Sequence, residues 1–114
     1  MDRSSLPREL RPFVDDAGRL NRWPSRQKIQ RMAATVLAVR FEPGRDYTEQ
    51  EVNFLLISCH TFGDWAILRR SLVDWRFLDR ESDGSRYRLR EDAPIESWAR
   101  HPSDPDARVD SGER

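Results

Sequence analysis

The chain has 114 residues, with 20 basic and 20 acidic side chains, a formal net charge of zero and a single cysteine. That length supports one domain and not two. The lone Cys59 excludes an internal disulfide, and no apolar run reaches the roughly 18 residues of a membrane span, so a cytoplasmic protein with no membrane partner is expected. The zero conceals an asymmetry. Residues 1–90 hold 17 basic against 13 acidic side chains, a balance of +4, and residues 91–114 hold 3 against 7, a balance of −4. A mildly basic body with an acidic tail predicts that any nucleic-acid affinity is weak, salt-sensitive or dependent on dimerisation.

Residues 1–24 read as an N-terminal arm packed on the body. Leu6 to Pro12 has room for one helical turn between Pro7 and Pro12. Phe13-Val14 and Arg19-Leu20 flank Asp15-Asp16-Ala17-Gly18, the composition of a small hairpin or of a turn that folds the arm back. Trp23-Pro24 closes this segment, with Trp23 as an anchor on the core. Ser25 is placed to cap a helix running to about Phe41. Its Ile29, Met32, Ala33, Val36 and Leu37 form one apolar stripe, and Arg26, Lys28, Arg31 and Arg40 make either a solvated face or a phosphate-facing flank. Pro43 and Gly44 end it. Asp46-Tyr47 has the character of a short strand.

Thr48 to Glu51 is a capping box, so a second helix starts at about Glu49. Val52, Leu55, Leu56 and Cys59 recur at i, i+3, i+4 and i+7. Phe54 and Ile57 widen that face, which predicts a central helix covered on two sides. His60-Thr61-Phe62-Gly63-Asp64 then reads as a tight turn. Gly63 is free to take a left-handed conformation, Asp64 can cap the next helix, and His60 is suited to closing the preceding one, either as an imidazolium on the helix dipole or through a hydrogen bond to Asp64.

The third helix is predicted over 64–75. Leu68, Leu72 and Trp75, with Ile67 or Trp65 at the edge, face inward; Ala66, Arg69, Arg70 and Val73 face out. Phe77 to Arg80 and Arg86 to Leu89 are strands joined through Asp83-Gly84. Alternation puts Tyr87 and Leu89 on one side and Arg86, Arg88 and Arg90 on the other. Ile95 and Trp98 could add a last amphipathic turn. Beyond it, 101–114 is rich in Pro, Asp and Ser, and residues 91–114 are expected to be an acidic, largely disordered tail.

The whole is an α+β, mainly helical pattern: a winged helix-turn-helix-like three-helix core over residues 25–90, with a small antiparallel β-hairpin as the wing. On this plan a recognition helix at about 64–75 presents Arg69 and Arg70 to the major groove of double-stranded DNA. A basic wing at about 77–90 lays Arg86 and Arg88 on phosphates. Asp74, on the same helix, opposes that use. The second reading keeps the scaffold and makes it a protein-interaction or sensory module. The arginines are then solvated surface, Trp65 or Trp98 is the anchor, and the partner is another protein or a second copy.

Gly18-Arg19-Leu20, Trp23-Pro24-Ser25, Phe41-Glu42-Pro43-Gly44, Tyr47-Thr48-Glu49, Glu51-Val52-Asn53, His60 to Asp64, Leu68-Arg69-Arg70, Leu72-Val73-Asp74, Phe77-Leu78 and Asp83 to Tyr87 together resemble a bacterial family known only as domain of unknown function 2087. The likeness runs from about Leu6 to Tyr87, and residues 60–64 are its most distinctive part. Members occur alone or behind an arsenic-repressor-type DNA-binding domain, and the present chain is expected to act without one. The resemblance implies a link to transcriptional regulation, with no biochemical activity attached.

No enzymatic chemistry is expected. Cys59 and His60 are adjacent, and neighbours on a helix point about 100° apart, which is not the geometry of a dyad. One cysteine and two distant histidines do not make a zinc site, and no glycine-rich phosphate loop is present, so neither metal nor cofactor is predicted.

Overall fold

A computed structural model describes residues 5–83 and 85–99. Three helices, α1 (Gln27–Ala38), α2 (Glu49–Ile57) and α3 (Trp65–Asp74), combine with three short strands, β1 (Asp46–Tyr47), β2 (Leu78–Arg80) and β3 (Tyr87–Leu89). The strands form one antiparallel sheet in the order β1-β3-β2, with Tyr47 opposite Tyr87 and Leu78 opposite Leu89. The fold is therefore α+β, as expected, and β1 completes the sheet.

The core belongs to α1. Ile29 and every residue from Met32 to Ala38 are buried, whereas α2 buries only Val52 and Leu56 within its bounds. The expectation that α2 is central and covered on two sides is corrected here. Phe54 and Ile57, which suggested a second covered face, stand 80% and 49% exposed. A small-residue stretch, Ala33-Ala34 with Ala38, lets α1 sit within the other elements on all sides, and apolar content alone does not distinguish such a helix from one with an uncovered apolar face.

Helix ends follow local chemistry. Thr48 Oγ1 accepts the Glu51 amide at 3.1 Å while Glu51 Oε1 accepts the Thr48 amide at 2.9 Å, the predicted capping box. The first helix departs from expectation: it begins at Gln27 behind Arg26, Ser25 supplies no cap, and it ends at Ala38, short of Phe41. After α3, Arg76 takes φ of 66°, the Arg76 amide donates to Val73 O and the Phe77 amide donates to Leu72 O. This is a Schellman closure in which arginine occupies the position that glycine fills at lower cost. Leu72 and Phe77, both fully buried, make its apolar contact.

The arm and the C-terminal segment seal the core from outside. Leu6, Leu10, Val14 and Leu20 are buried, and Trp23 packs against them half-buried. Val14 bridges Leu20 across the Asp15 turn, where Asp15 Oδ1 accepts the Ala17 and Arg19 amides. On the other side Ala93, Ile95 and Trp98 pack on the core, and a 3₁₀ turn spans Ser97–Ala99. The expected disordered stretch 101–114 and the Gly84 position of the hairpin turn lie outside the described residues. Among the described residues no helix is long and apolar enough to cross a membrane.

Candidate functional site

The turn between α2 and α3 aims everything that follows it. His60 is buried, its Nδ1 lies 2.7 Å from the Leu56 carbonyl, and its Nε2 accepts the Asp64 amide at 3.0 Å. A backbone amide can only donate, so Nε2 is unprotonated and Nδ1 carries the hydrogen that goes to Leu56. The imidazole is therefore neutral, which replaces the expected imidazolium and makes the ring a tie between the end of α2 and the start of α3. The Phe62 ring meets its edge at a centroid distance of 4.6 Å. Gly63 takes φ of 70°, and Asp64 Oδ1 accepts the Ile67 amide at 3.2 Å. The arm grips the same turn: the Leu20 amide donates to Cys59 O and the Thr61 amide to Leu20 O, each at 2.9 Å. All five turn residues are thus occupied in positioning α3. Beside them the Cys59 thiol donates to Leu55 O at 3.2 Å, and burial pushes its pKa up, with the Arg40 charge and Ser58 only partly opposing. That is the setting of an inert thiol.

The four singled-out arginines fall into two clefts. Arg69 and Arg70 line one with Glu49, Asp74 and Arg80, and Arg86 and Arg88 line another with Asp46 and Glu81. Arg80 borders both and escaped the sequence reading, since its place depends on the packing of β2 against α3. Arg69 is not the free solvent-facing group expected. Its side chain is 22% exposed, it donates to Asn53 Oδ1, and Glu49 stands 3.9 Å away. Arg70 is exposed and has no hydrogen-bond or ion-pair partner among the described residues.

On the sheet, the register decides the electrostatics. Because Tyr47 and Tyr87 face each other inward, Asp46 and Arg88 face each other outward, and Asp79 lies opposite Arg88 on the far strand. Asp46 accepts Arg88 Nε at 2.8 Å and Arg86 Nη1 at 3.3 Å, while Arg90 pairs with Asp79 at 2.6 Å and Asp92 at 2.8 Å. The hydrogen bond from Arg88, reinforced by its charge and by Arg86, holds the Asp46 carboxyl below its ordinary range. Over the whole sheet Arg80, Arg86, Arg88 and Arg90 are equalled in number by Asp46 on β1 with Asp79, Glu81 and Asp83. Exposed pairs of this kind add little stability, yet with Asp46 of β1 counted the sheet is left without net charge.

The outward face of α2 is different in kind. Phe54 stands at its centre, Ile57 lies to one side, and a groove of about 800 Å³ runs along the other, bordered by Arg40, Arg45, Tyr47, Gln50, Glu51 and Ser58. Trp65 and Ile67, each 38% exposed, add apolar surface at the start of α3. Of the aromatics named as possible anchors, Trp98 is half-buried and donates to Glu96 Oε1 at 2.7 Å, which leaves Trp65 the more open of the two. Phe54 was missed as a surface residue because its spacing fits a widened core stripe.

The family model described as "Uncharacterized protein conserved in bacteria (DUF2087)" matches residues 19–89. The chain belongs to this family. No curated protein and no solved structure matches it. The match begins at Arg19, later than the expected start near Leu6, and ends at Leu89 on β3. It contains all three helices, all three strands and the His60 turn, whereas Leu6, Leu10 and Val14 of the core lie before it. The family carries no activity with it, so the functional reading rests on the surfaces just described.

Proposed function

We propose that the chain is a protein-interaction module on a winged-helix scaffold, working through the outward face of α2 and the start of α3 without catalysis and without direct contact to DNA. The element order α1-β1-α2-α3-β2-β3, with the β2-β3 hairpin beyond the third helix, supports the winged-helix part of this reading. The observation that carries the functional part is Phe54, a large aromatic side chain 80% exposed at the middle of a helix. An exposed aromatic with aliphatic neighbours and a polar rim has the composition of an interface centre. A sheet whose charges cancel once Asp46 of β1 is counted offers phosphate no net attraction. The module binds by burying Phe54 and Ile57 in a partner, with Arg40 and Glu51 at the rim setting orientation.

A second reading, DNA binding, draws on the cleft where Arg69, Arg70 and Arg80 converge. Glu49 and Asp74 line the same cleft, and Arg69 is held by Asn53, so Arg70 and Arg80 are the guanidinium groups left to reach a base or phosphate. Retention on heparin and on a random-sequence duplex at low salt separates the two readings. Complete flow-through is expected. Retention that weakens as salt rises and is lost in Arg70→Ala would overturn the protein-interaction reading in favour of DNA.

A further inference from the structure

We propose that the partner which covers α2 is a second copy of this chain, the two α2 helices packing antiparallel about a two-fold axis that crosses them at Phe54. The inference rests on the reading of this face as the working surface and names its occupant. A two-fold contact applies the same patch to both copies, so the patch must complement itself. This one does. Glu51 lies three residues before Phe54 and Ser58 four after it, offsets that differ by only about 1.5 Å of helix rise. Both border the same groove, and Arg40 borders it as well. Arg40 belongs to the Ser58 end, being close enough to Cys59 for its charge to act on the thiol, while Glu51 belongs to the other end, where Arg45 stands 3.9 Å from it.

Turning one copy end over end about Phe54 keeps the groove edges together and reverses their direction. Glu51 of each copy then meets Arg40 of the other, twice per dimer. Arg40 is exposed and has no ion-pair partner within the chain among the described residues, so the pairing gives a free cation a carboxylate. The groove edges together hold Arg40 and Arg45 against Glu42 and Glu51, so two copies meet without net repulsion. The two Phe54 rings stack at the axis, and Ile57 of each copy packs on the aliphatic part of Gln50 of the other.

Sedimentation velocity on the full chain over a wide concentration range, with and without added salt, tests the proposal. The mass should climb from 13.5 kDa toward twice that value. Phe54→Ser removes the central contact and should weaken association at least about tenfold, with the circular dichroism spectrum unchanged because the ring is largely in solvent. Arg40→Glu puts like charges together at both ends. It should weaken association at low salt and recover as salt rises, opposite in sign to the parent. A mass of 13.5 kDa at every concentration, or a dimer indifferent to both substitutions, would overturn the proposal. Random duplex added to the same samples separates this failure from that of the underlying reading: a monomer that ignores DNA removes only the second copy as partner, and a monomer that binds DNA removes both.

Discussion

On the outer face of the sheet, Arg86, Arg88 and Arg90 each sit against a carboxylate that the strand register or the following turn brings to them. On the outer face of α2, Phe54 and Ile57 stand open to solvent beside a groove with charged edges. The first surface has already satisfied its own polar groups. The second has apolar area still to bury, and burial of apolar area is the dominant favourable term in most protein association. Counting arginines and counting the groups that remain without a partner once the chain has folded therefore point to different faces, and the proposed function follows the second.

That contrast depends first on the joint which orients α3. Replacing His60 with Ala leaves the Leu56 carbonyl and the Asp64 amide unpaired at a buried site, and unfolding in urea should show a loss of about 2–4 kcal/mol. A loss below about 0.5 kcal/mol would mean that the ring does not tie the two helices together. Phe54→Ser should behave in the opposite way. Its stability should stay within about 0.5 kcal/mol of the parent, as for an exposed position, although the residue is central to the proposed interface. A large stability loss would place Phe54 in the core and erase the contrast.

Arg76→Gly relieves a left-handed arginine and should raise stability by about 1 kcal/mol, seen as a higher urea midpoint. Asp46→Asn with Asp79→Asn takes the sheet from neutral to +2 in charge, and heparin elution should shift to higher salt while the parent flows through. No shift would show that charge cancellation is not what keeps the sheet face from anions. The smallest effect concerns acid. The Asp46 carboxyl, normally near 3.8, is held lower in the folded chain, chiefly by its hydrogen bond from Arg88. Its contribution is therefore present above about pH 3.8 and lost as pH falls through the folded value. The parent and Asp46→Asn should differ slightly in urea midpoint at neutral pH and converge as pH falls through the lowered folded value of Asp46.

Much of the architecture is legible in the sequence, and the reasons are local. The Thr48 box, the Asp64 cap and the alternation of Tyr87 with Arg88 are short-range rules, and each fixes an element or a face. Asp46-Tyr47 was readable as a strand, and alternation with Tyr47 turned inward makes Asp46 face outward; its pairing with Arg88 follows from the register of β1 on β3, which spacing does not give. The burial of α2 was not legible, because Phe54 and Ile57 look the same in sequence whether a neighbouring element covers them or solvent does. Nor could spacing reveal that Arg69 turns to Asn53, sixteen residues earlier on another helix, or that Arg80 joins the two clefts. Those facts depend on the angle between α2 and α3, and that angle is set by His60 and its grip on the arm.

Amide chemical-shift mapping separates the two faces: the protein is first concentrated, and random-sequence duplex is then added. Shifts are expected at Arg40, Gln50, Phe54 and Ile57 as concentration rises, and none of comparable size on adding DNA. Shifts confined to Arg69, Arg70 and Arg80, produced by the duplex and abolished by salt, would contradict the proposed function.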